Sequence, residues 1–283
     1  MATAVICEFN PFHNGHKYLL ESAKNVLKEP VIAIMSGSFT QRGEVAVCDK
    51  FVRAKSALEN GADLVLELPV VFSLSGAEGF AKAGVAIASA FDCTNYLAFG
   101  SESGDCELLK KSANAVCDER VQALVRDGMK NGGYYPRELA NAVKTVFGDE
   151  ISSVLCEPNN ILGVEYIKAL NGTGVEPFSV ARTGVAHDSR IAGEGFASAS
   201  HIREMLRNGE NAKKYAPYIP DEITFPENLD RPLLYRLRTM TREDIAKLPD
   251  VGEGLENRIA DAAVRCSTSS EIADLVKLSL IHI

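Results

Sequence analysis

The sequence contains no tryptophan, only five histidines and no Cys-x-x-Cys pair. Its seven cysteines are scattered and odd in number, a pattern typical of reduced thiols rather than of a disulfide framework or a zinc site. It also lacks low-complexity tracts, and 46% of its residues are apolar, which argues against extensive disorder. These absences predict a folded protein of a reducing compartment, the cytoplasm, with no metal centre of its own.

Long uncharged apolar runs are missing as well. The nearest candidate, residues 81–91, contains Lys82 and stops before Asp92, so it is too polar to span a bilayer. The first six residues carry no basic side chain and lead straight into an apolar segment, unlike a secretory signal peptide. The formal net charge of −8 argues against a protein that coats nucleic acid, but it is compatible with a local basic patch.

Short apolar runs alternate with helix-like segments over the first two thirds of the chain. Strands are predicted at residues 4–9, 31–35, 63–69, 96–99 and 178–181. Helices are predicted at residues 15–27, 49–60, 77–90, 106–127, 136–145, 158–170 and 198–206. This alternation predicts an α/β fold with a Rossmann-like parallel sheet, whose ligands bind beyond the carboxyl ends of the strands.

The pattern changes after residue 209. Residues 215–220 have the composition of a linker, and residues 233–240 and 255–266 read as helices. We therefore predict a catalytic domain over residues 1–209 and a small helical region over residues 210–277. Residues 278–283 equal the translation of a transposon-end sequencing adapter, so we expect them to be non-native and the native sequence to be truncated near Lys277.

The main chemical signal lies between the first strand and the first helix, where the chain reads His13-Asn14-Gly15-His16. Two imidazoles three residues apart in a first helical turn point in similar directions. The helix N-terminus adds free N–H groups and a positive dipole end, and Gly15 lets a phosphate approach the backbone. His13 and His16 are therefore the candidate catalytic residues for a transfer at the α-phosphate of a nucleoside triphosphate.

Two other interpretations of this histidine pair are open. One histidine could cap the helix while the other lies on the surface. The pair could also bind a metal ion, although no third ligand occurs at a useful spacing.

The His-x-Gly-His element resembles the signature of the nucleotidyltransferase superfamily. Further segments resemble the bacterial tRNA(Met) cytidine acetate ligase family, and they occur in order over the rest of the chain: residues 35–44, 49–54, 99–102, 158–166, Arg182-Thr183-Gly184, His187-Asp188, 198–203 and 252–259. The resemblance implies a Rossmann-like domain with an added C-terminal part. It also implies an enzyme that activates acetate with ATP to acetyl-adenylate and then acetylates N4 of the wobble cytidine of elongator tRNA(Met), giving N4-acetylcytidine.

The resemblance further implies a set of ATP-binding residues, with Mg²⁺ accompanying the nucleotide. They are Cys7, Glu8, Phe9, Asn10, Pro11, Phe12, Asn14, Gly15, Lys17, Tyr18, Leu19, Leu20, Gly100, Asn160 and Arg182. Asn159 is the alternative to Asn160. For Gly100 the alternative is an ordinary turn at the end of a strand, and for Arg182 it is a surface ion pair.

Other polar residues, after the second predicted strand or at the starts of predicted helices, are candidates for phosphate or substrate contacts: Ser36, Gln41, Arg42, Asn159, Ser198, Ser200 and Arg203. Each has a structural alternative, because loop residues can form an exposed turn and short polar side chains can cap helices. Asp49 could likewise cap a helix or lie near Mg²⁺. His187 and Asp188 form either a loop pair or part of the site.

The C-terminal region has a cluster of arginines, of which Arg236, Arg238 and Arg242 are the candidate tRNA contacts. A solvated helix face is the alternative. Two competing functions are a small-molecule nucleotidyltransferase, which would use the same histidines on a phosphorylated metabolite, and a non-catalytic RNA-binding module. The long stretch of residues 103–157 favours the ligase over the first, and the intact histidine motif disfavours the second.

Overall fold

The computed structural model describes residues 1–182, 195–252 and 254–281. These residues form two compact units, Met1–Ile223 and Thr224–Ile283. The first unit contains a parallel sheet of five strands in the order β3-β2-β1-β4-β5. The strands are β1 (Ala2–Cys7), β2 (Val31–Ser36), β3 (Leu64–Leu68), β4 (Thr94–Ser101) and β5 (Glu176–Ala181). The predicted α/β fold with a parallel sheet is confirmed.

Ten helices belong to the described part of the first unit. They are α1 (Asn14–Leu27), α2 (Lys50–Glu59), α3 (Val70–Ser73), α4 (Ala77–Ser89), α5 (Cys106–Cys117), α6 (Glu119–Lys130), α7 (Tyr135–Phe147), α8 (Asp149–Val154), α9 (Pro158–Leu170) and α10 (Ala199–Arg207). The two short helices α3 and α8 were not predicted, because four to six residues carry too little periodicity to identify a helix.

Alternation along β1 sends neighbouring side chains into two separate cores. Ile6 joins Phe80 of α4, Phe99 of β4 and Tyr166 of α9 on one face of the sheet. Val5 lies in the other core, which is built with α1 and α2. Because both faces of β1 are covered, the strand is buried along its whole length.

The strand order reverses at β1, which pairs with β2 on one side and with β4 on the other. In a doubly wound sheet this reversal opens a crevice beyond the carboxyl ends of the two strands. The histidine motif follows β1 directly, so the topology carries it to this crevice.

The predicted helix over residues 106–127 is wrong as a single element. Asp118 has extended backbone angles (φ −65°, ψ 132°), which end α5, and its carboxylate accepts a 2.9 Å hydrogen bond from the backbone N–H of Arg120 at the start of α6. Aspartate is a strong helix N-cap residue, so one residue ends the first helix and begins the second.

The first unit also extends beyond the predicted boundary at residue 209. Ala212 and Ala216 are buried against Ile202 of α10. Tyr218, in the segment predicted as a linker, donates a 2.9 Å hydrogen bond from its hydroxyl to the Asn60 side chain. These contacts make residues 210–223 part of the packed first unit.

The second unit is helical, with a 3₁₀ turn at Pro226–Leu229 and helices α11 (Asp230–Thr239), α12 (Arg242–Ala246), α13 (Leu255–Arg265) and α14 (Ser269–Ile281). Its small core centres on Leu234, Ala263 and Ile272. No helix in the described part of either unit is long and apolar enough to cross a membrane.

Candidate active site

The two motif histidines cap helix α1 with their own side chains. His13 is the N-cap residue, and its Nδ1 accepts a hydrogen bond from the Gly15 backbone N–H at 3.0 Å. The His16 Nδ1 in turn accepts a hydrogen bond from the His13 backbone N–H at 3.3 Å. A neutral imidazole that accepts at Nδ1 carries its proton on Nε2. The cap therefore leaves each histidine with an Nε2–H group that can donate to a ligand.

The imidazole rings stack, with centroids 3.7 Å apart and planes 23° from parallel. Phe9 packs against His16 at a centroid distance of 4.9 Å. Burial, together with the positive charges of Arg182 and Arg203, lowers the pKa of His13 to about 3. Burial, His13 and Arg182 hold the pKa of His16 well below its ordinary value. Both rings are therefore neutral near pH 7 and act as hydrogen-bond donors rather than as cations.

A polar loop between β2 and α2 is tied to the motif by two side chains that precede the histidines. The Glu8 carboxylate accepts a 2.7 Å hydrogen bond from the backbone N–H of Gln41, and the Asn10 amide oxygen accepts one of 2.8 Å from that of Val47. Burial raises the pKa of Glu8, opposed by that hydrogen bond and by nearby arginines. These contacts place Gln41 and Arg42 in the wall of the cavity.

Arg53 anchors the base of this loop, a role that the sequence analysis did not identify. The side chain is 1% exposed. Its guanidinium donates to the backbone carbonyls of Ser36 and Cys48, each at 3.1 Å, and also to those of Glu8 and Gly37. One buried cation thus joins the ends of β1 and β2 to the loop. Its only sequence signal was its place in a segment that resembles the family.

Two further arginines supply positive charge at the cavity. Arg182 follows β5 and donates to the Asn159 side chain at 3.4 Å. Arg203 of α10 donates to the Asn10 carbonyl at 3.0 Å and to the Ser200 hydroxyl at 3.2 Å. Burial lowers the pKa of both guanidinium groups, and the Nε atom of Arg182 is buried without a partner among the described residues. This under-compensated charge suits a phosphate ligand.

The two asparagines at the start of α9 are both held by Glu102. Asn159 donates from Nδ2 to this carboxylate at 2.6 Å, and the backbone N–H of Asn160 donates to it at 2.8 Å. Asn160 is buried, and its amide oxygen accepts from the Ser103 backbone N–H at 3.1 Å, whereas Asn159 lines the cavity. The geometry thus favours Asn159 over Asn160 as a direct contact, and an ATP contact by either residue stays a prediction.

A cavity of about 320 Å³ lies at the carboxyl ends of β1 and β4. Most of the candidate residues line it: Cys7, Glu8, Phe9, Asn10, His13, Gly15, His16, Tyr18, Leu19, Gln41, Arg42, Gly100, Asn159, Arg182, Ser198, Ser200 and Arg203. The remaining candidates of the first unit do not: Pro11, Phe12, Asn14, Lys17, Leu20, Ser36 and Asn160. Sequence reasoning missed the apolar lining residues, which have no signal that distinguishes them from ordinary core residues.

Some of the residues predicted to contact a ligand instead have a structural role. Ser198 caps α10 by accepting from the His201 backbone N–H at 3.1 Å. Asp49 caps α2, because its carboxylate accepts a 2.8 Å hydrogen bond from the Phe51 backbone N–H, and it does not line the cavity. A methyl group on Gly100 would meet the Arg182 side chain at 3.5 Å and the Val180 carbonyl oxygen at 3.9 Å. Both are ordinary contacts, so a requirement for glycine there would come from a ligand.

The arginines predicted to contact tRNA are partly engaged within the second unit. Arg238 donates to the backbone carbonyls of Ala263 and Cys266 at 2.7 and 2.8 Å. Arg242 donates to the side chains of Asn257 and Asp261 at 2.6 and 2.7 Å. Arg236 is exposed and makes no side-chain hydrogen bond to a described residue. A tRNA contact by these residues stays a prediction.

Some predictions concern residues that the structure does not describe. They are the Thr183-Gly184 segment, the His187-Asp188 pair, Glu253 of the glycine-containing turn and the end of the suspected adapter-derived tail.

Comparison with known proteins agrees with this geometry. Residues 1–279 match the HIGH Nucleotidyl Transferase family. The chain is 38% identical to a tRNA(Met) cytidine acetate ligase of Caldanaerobacter subterraneus, with 98% of this chain and 73% of that protein aligned. It is 35% identical to the ligase of Clostridium tetani, covering 97% of this chain and 74% of that one.

Solved structures give the same relationship. Crystal structures of Thermotoga maritima TmcAL superpose with TM-scores of 0.88 for the apo form and 0.86 for the form bound with alpha-thio ATP, at 32% and 33% identity. Each match covers 97% of this chain and 70% of the other. The resemblance seen in the sequence is thereby confirmed, and the chain belongs to the tRNA(Met) cytidine acetate ligase family of HIGH nucleotidyltransferases.

Proposed function

We propose that this protein is an ATP-dependent tRNA(Met) cytidine acetate ligase. It activates acetate to acetyl-adenylate and transfers the acetyl group to N4 of the wobble cytidine of elongator tRNA(Met). The observation that carries the proposal is the stacked, neutral His13–His16 pair with two Nε2–H donors, close to two half-buried arginines at the reversal point of a parallel sheet. ATP and tRNA are cytoplasmic molecules, so the reaction belongs in that compartment.

In the first step a carboxylate oxygen of acetate attacks the α-phosphorus of ATP. A P–O bond forms, the bond from the α-phosphorus to the bridging oxygen breaks, and pyrophosphate leaves with the electron pair. The Nε2–H groups of His13 and His16 donate to the phosphoryl oxygens on which negative charge develops, and Arg182 and Arg203 hold the phosphates. Neutral imidazoles fit this role because no proton has to move.

In the second step the N4 amine of cytidine attacks the acetyl carbonyl carbon. A C–N bond forms, the C–O bond to AMP breaks, and the amine loses a proton. Arg236 on the exposed face of α11 is a candidate to bind a tRNA phosphate. Arg238 and Arg242 are weaker candidates, since their guanidinium groups already have partners in the same unit.

In this proposal Mg²⁺ binds together with ATP. The described residues include no cluster of three His, Cys, Asp or Glu side chains that could hold a metal ion. Mg²⁺ usually keeps several waters and binds through substrate phosphates, so MgATP needs no dedicated protein cage. When bound, the ion would neutralise charge on the departing pyrophosphate.

The test is acetate-dependent formation of acetyl-adenylate and pyrophosphate from ATP without tRNA, in the unaltered protein and in His16→Ala. We expect the unaltered protein to form the adenylate and the variant to lose roughly 100-fold or more in rate, as when one donor to a developing oxyanion is removed. Thermal unfolding of both proteins controls for misfolding. Adding elongator tRNA(Met) should then yield N4-acetylcytidine.

A folded, ATP-binding protein that makes no adenylate with acetate, yet transfers AMP to a phosphorylated metabolite, would overturn the proposal. The small-molecule nucleotidyltransferase would then replace it.

A further inference from the structure

The cavity has a second, apolar part on the α4 and α9 side of the sheet. Its lining residues are Ile6, Ala77, Phe80, Phe99, Leu162 and Tyr166. It meets the polar part at the end of β1, where Ile6 is followed by Cys7 and Glu8, two residues that line the same cavity. A molecule in the apolar part can therefore reach the groups around the histidine pair.

Tyr166 brings one polar atom into this apolar surface. The residue is 2% exposed, and its ring packs on Phe99 with centroids 5.5 Å apart. The residue lines the cavity, and its hydroxyl makes no hydrogen bond to any residue that the structure describes. Burial, with smaller contributions from Cys7 and Glu8, raises the pKa of Tyr166 well above its ordinary value, so the O–H proton stays in place for donation.

A single hydrogen-bond donor on an otherwise apolar cavity surface matches a short carboxylic acid. A carboxylate has two oxygens, of which one attacks phosphorus while the other accepts a hydrogen bond. The adenine base would leave several of its polar nitrogens unpaired in such surroundings. Positions for the nucleotide exist instead at Gly100 and Arg182, at the ends of β4 and β5.

We propose that the Tyr166 hydroxyl binds the non-attacking carboxylate oxygen of the acid, and that the apolar wall, including Leu162, limits the length of its alkyl chain. The inference rests on the proposed adenylation of acetate, because it assigns the second substrate of that step. In the reaction the attacking oxygen forms the P–O bond and pyrophosphate leaves. The oxygen held by Tyr166 becomes the carbonyl oxygen of the acyl-adenylate, and Tyr166 keeps its proton throughout.

The experiment measures acyl-adenylate formation from acetate, propionate and butyrate at saturating ATP, with the KM for ATP determined separately. Tyr166→Phe removes only the hydroxyl, and we expect it to raise the KM for acetate by roughly tenfold or more while leaving the KM for ATP unchanged. Leu162→Ala enlarges the pocket at a half-buried position. It should raise the ratio of kcat/KM for butyrate over acetate by about tenfold or more, because one methylene in an apolar pocket is worth about 10–200-fold.

Tyr96→Phe is the matched control, since Tyr96 lies on β4 outside the cavity lining and loses the same atom. We expect it to leave both KM values unchanged. If the unaltered protein forms acetyl-adenylate but neither cavity variant changes the KM for acetate or the preference among acids, this assignment is wrong while the proposed function stands. If the unaltered protein activates none of the acids, the proposed function fails and this assignment with it.

Discussion

Replacing Gly15 by alanine should damage catalysis far more than folding. A Cβ atom at this position would lie 2.8 Å from Cε1 and 3.0 Å from Nδ1 of His13, well inside the 3.4 Å at which ordinary contact begins. The imidazole would have to move by about half an ångström. It has little freedom to do so, because it is 5% exposed and stacks on His16.

The expected magnitudes separate the two effects. Displacement of His13 weakens its 3.0 Å hydrogen bond from the Gly15 backbone, and loss of an N-cap costs about 0.5–2 kcal/mol of stability. The better helix propensity of alanine offsets this loss by up to about 1 kcal/mol, so the free energy of unfolding should fall by about 1 kcal/mol or less. Misplacing a catalytic group by a fraction of an ångström to 1 Å costs up to about 100-fold in rate, or about 2.7 kcal/mol.

The assay combines the kcat/KM of acetyl-adenylate formation with urea unfolding. Gly76→Ala is the control, because it adds the same methyl group at another helix N-terminus, where nothing lies within 4 Å. We expect the control to stay within about threefold of the unaltered protein and Gly15→Ala to fall by roughly 100-fold. A Gly15→Ala protein with nearly full activity would refute the reasoning that the spacing between the helix start and His13 sets the catalytic geometry.

Two further predictions concern stability. The pKa of His13 is about 3 in the folded protein and about 6.5 in the unfolded chain. Below pH 6.5 the unfolded chain therefore binds a proton that the folded protein does not. The free energy of unfolding should fall by about 1.4 kcal/mol per pH unit as the pH decreases, until about pH 3. The His13→Asn variant keeps a capping side chain that does not titrate. Its free energy of unfolding, measured by urea titration, should fall by about 2 kcal/mol less between pH 6.5 and 5.0 than that of the unaltered protein. An equal pH dependence of the two proteins would contradict the assignment of this effect to His13. Arg238→Met removes two hydrogen bonds to backbone carbonyls and should destabilise the second unit by about 1–2 kcal/mol, whereas Arg236→Met should change it by less than about 0.5 kcal/mol, as judged by thermal unfolding. Equal effects of the two arginine variants would show that the Arg238 contacts contribute nothing.

Local pattern was sufficient for the sheet and for the centre of the site. All five predicted strands begin and end within two residues of the observed strands, since the strands of this parallel sheet are short, mostly apolar runs. His13, Gly15 and His16 could be identified because a helix N-cap and a phosphate site both depend on neighbours within one turn of the chain.

Features that depend on distant residues were harder to predict. The break at Asp118 was missed because an aspartate inside an amphipathic pattern reads as an exposed helical residue. Arg53 gave no sign of burial, because its partners are backbone carbonyls at Glu8, Ser36, Gly37 and Cys48, which no side-chain pattern marks.

Consecutive residues were enough to predict the parallel α/β sheet, the histidine pair after its first strand and the family to which the chain belongs. Which helix residues pack in the core and which line the cavity depends instead on how distant segments pack together. Tyr166 and Leu162 lie on α9, whose polar residues are spread around the helix, so its sequence period does not distinguish the cavity wall from the core. That choice depends on how α9 packs against β4 and β5, a consequence of packing over the whole unit.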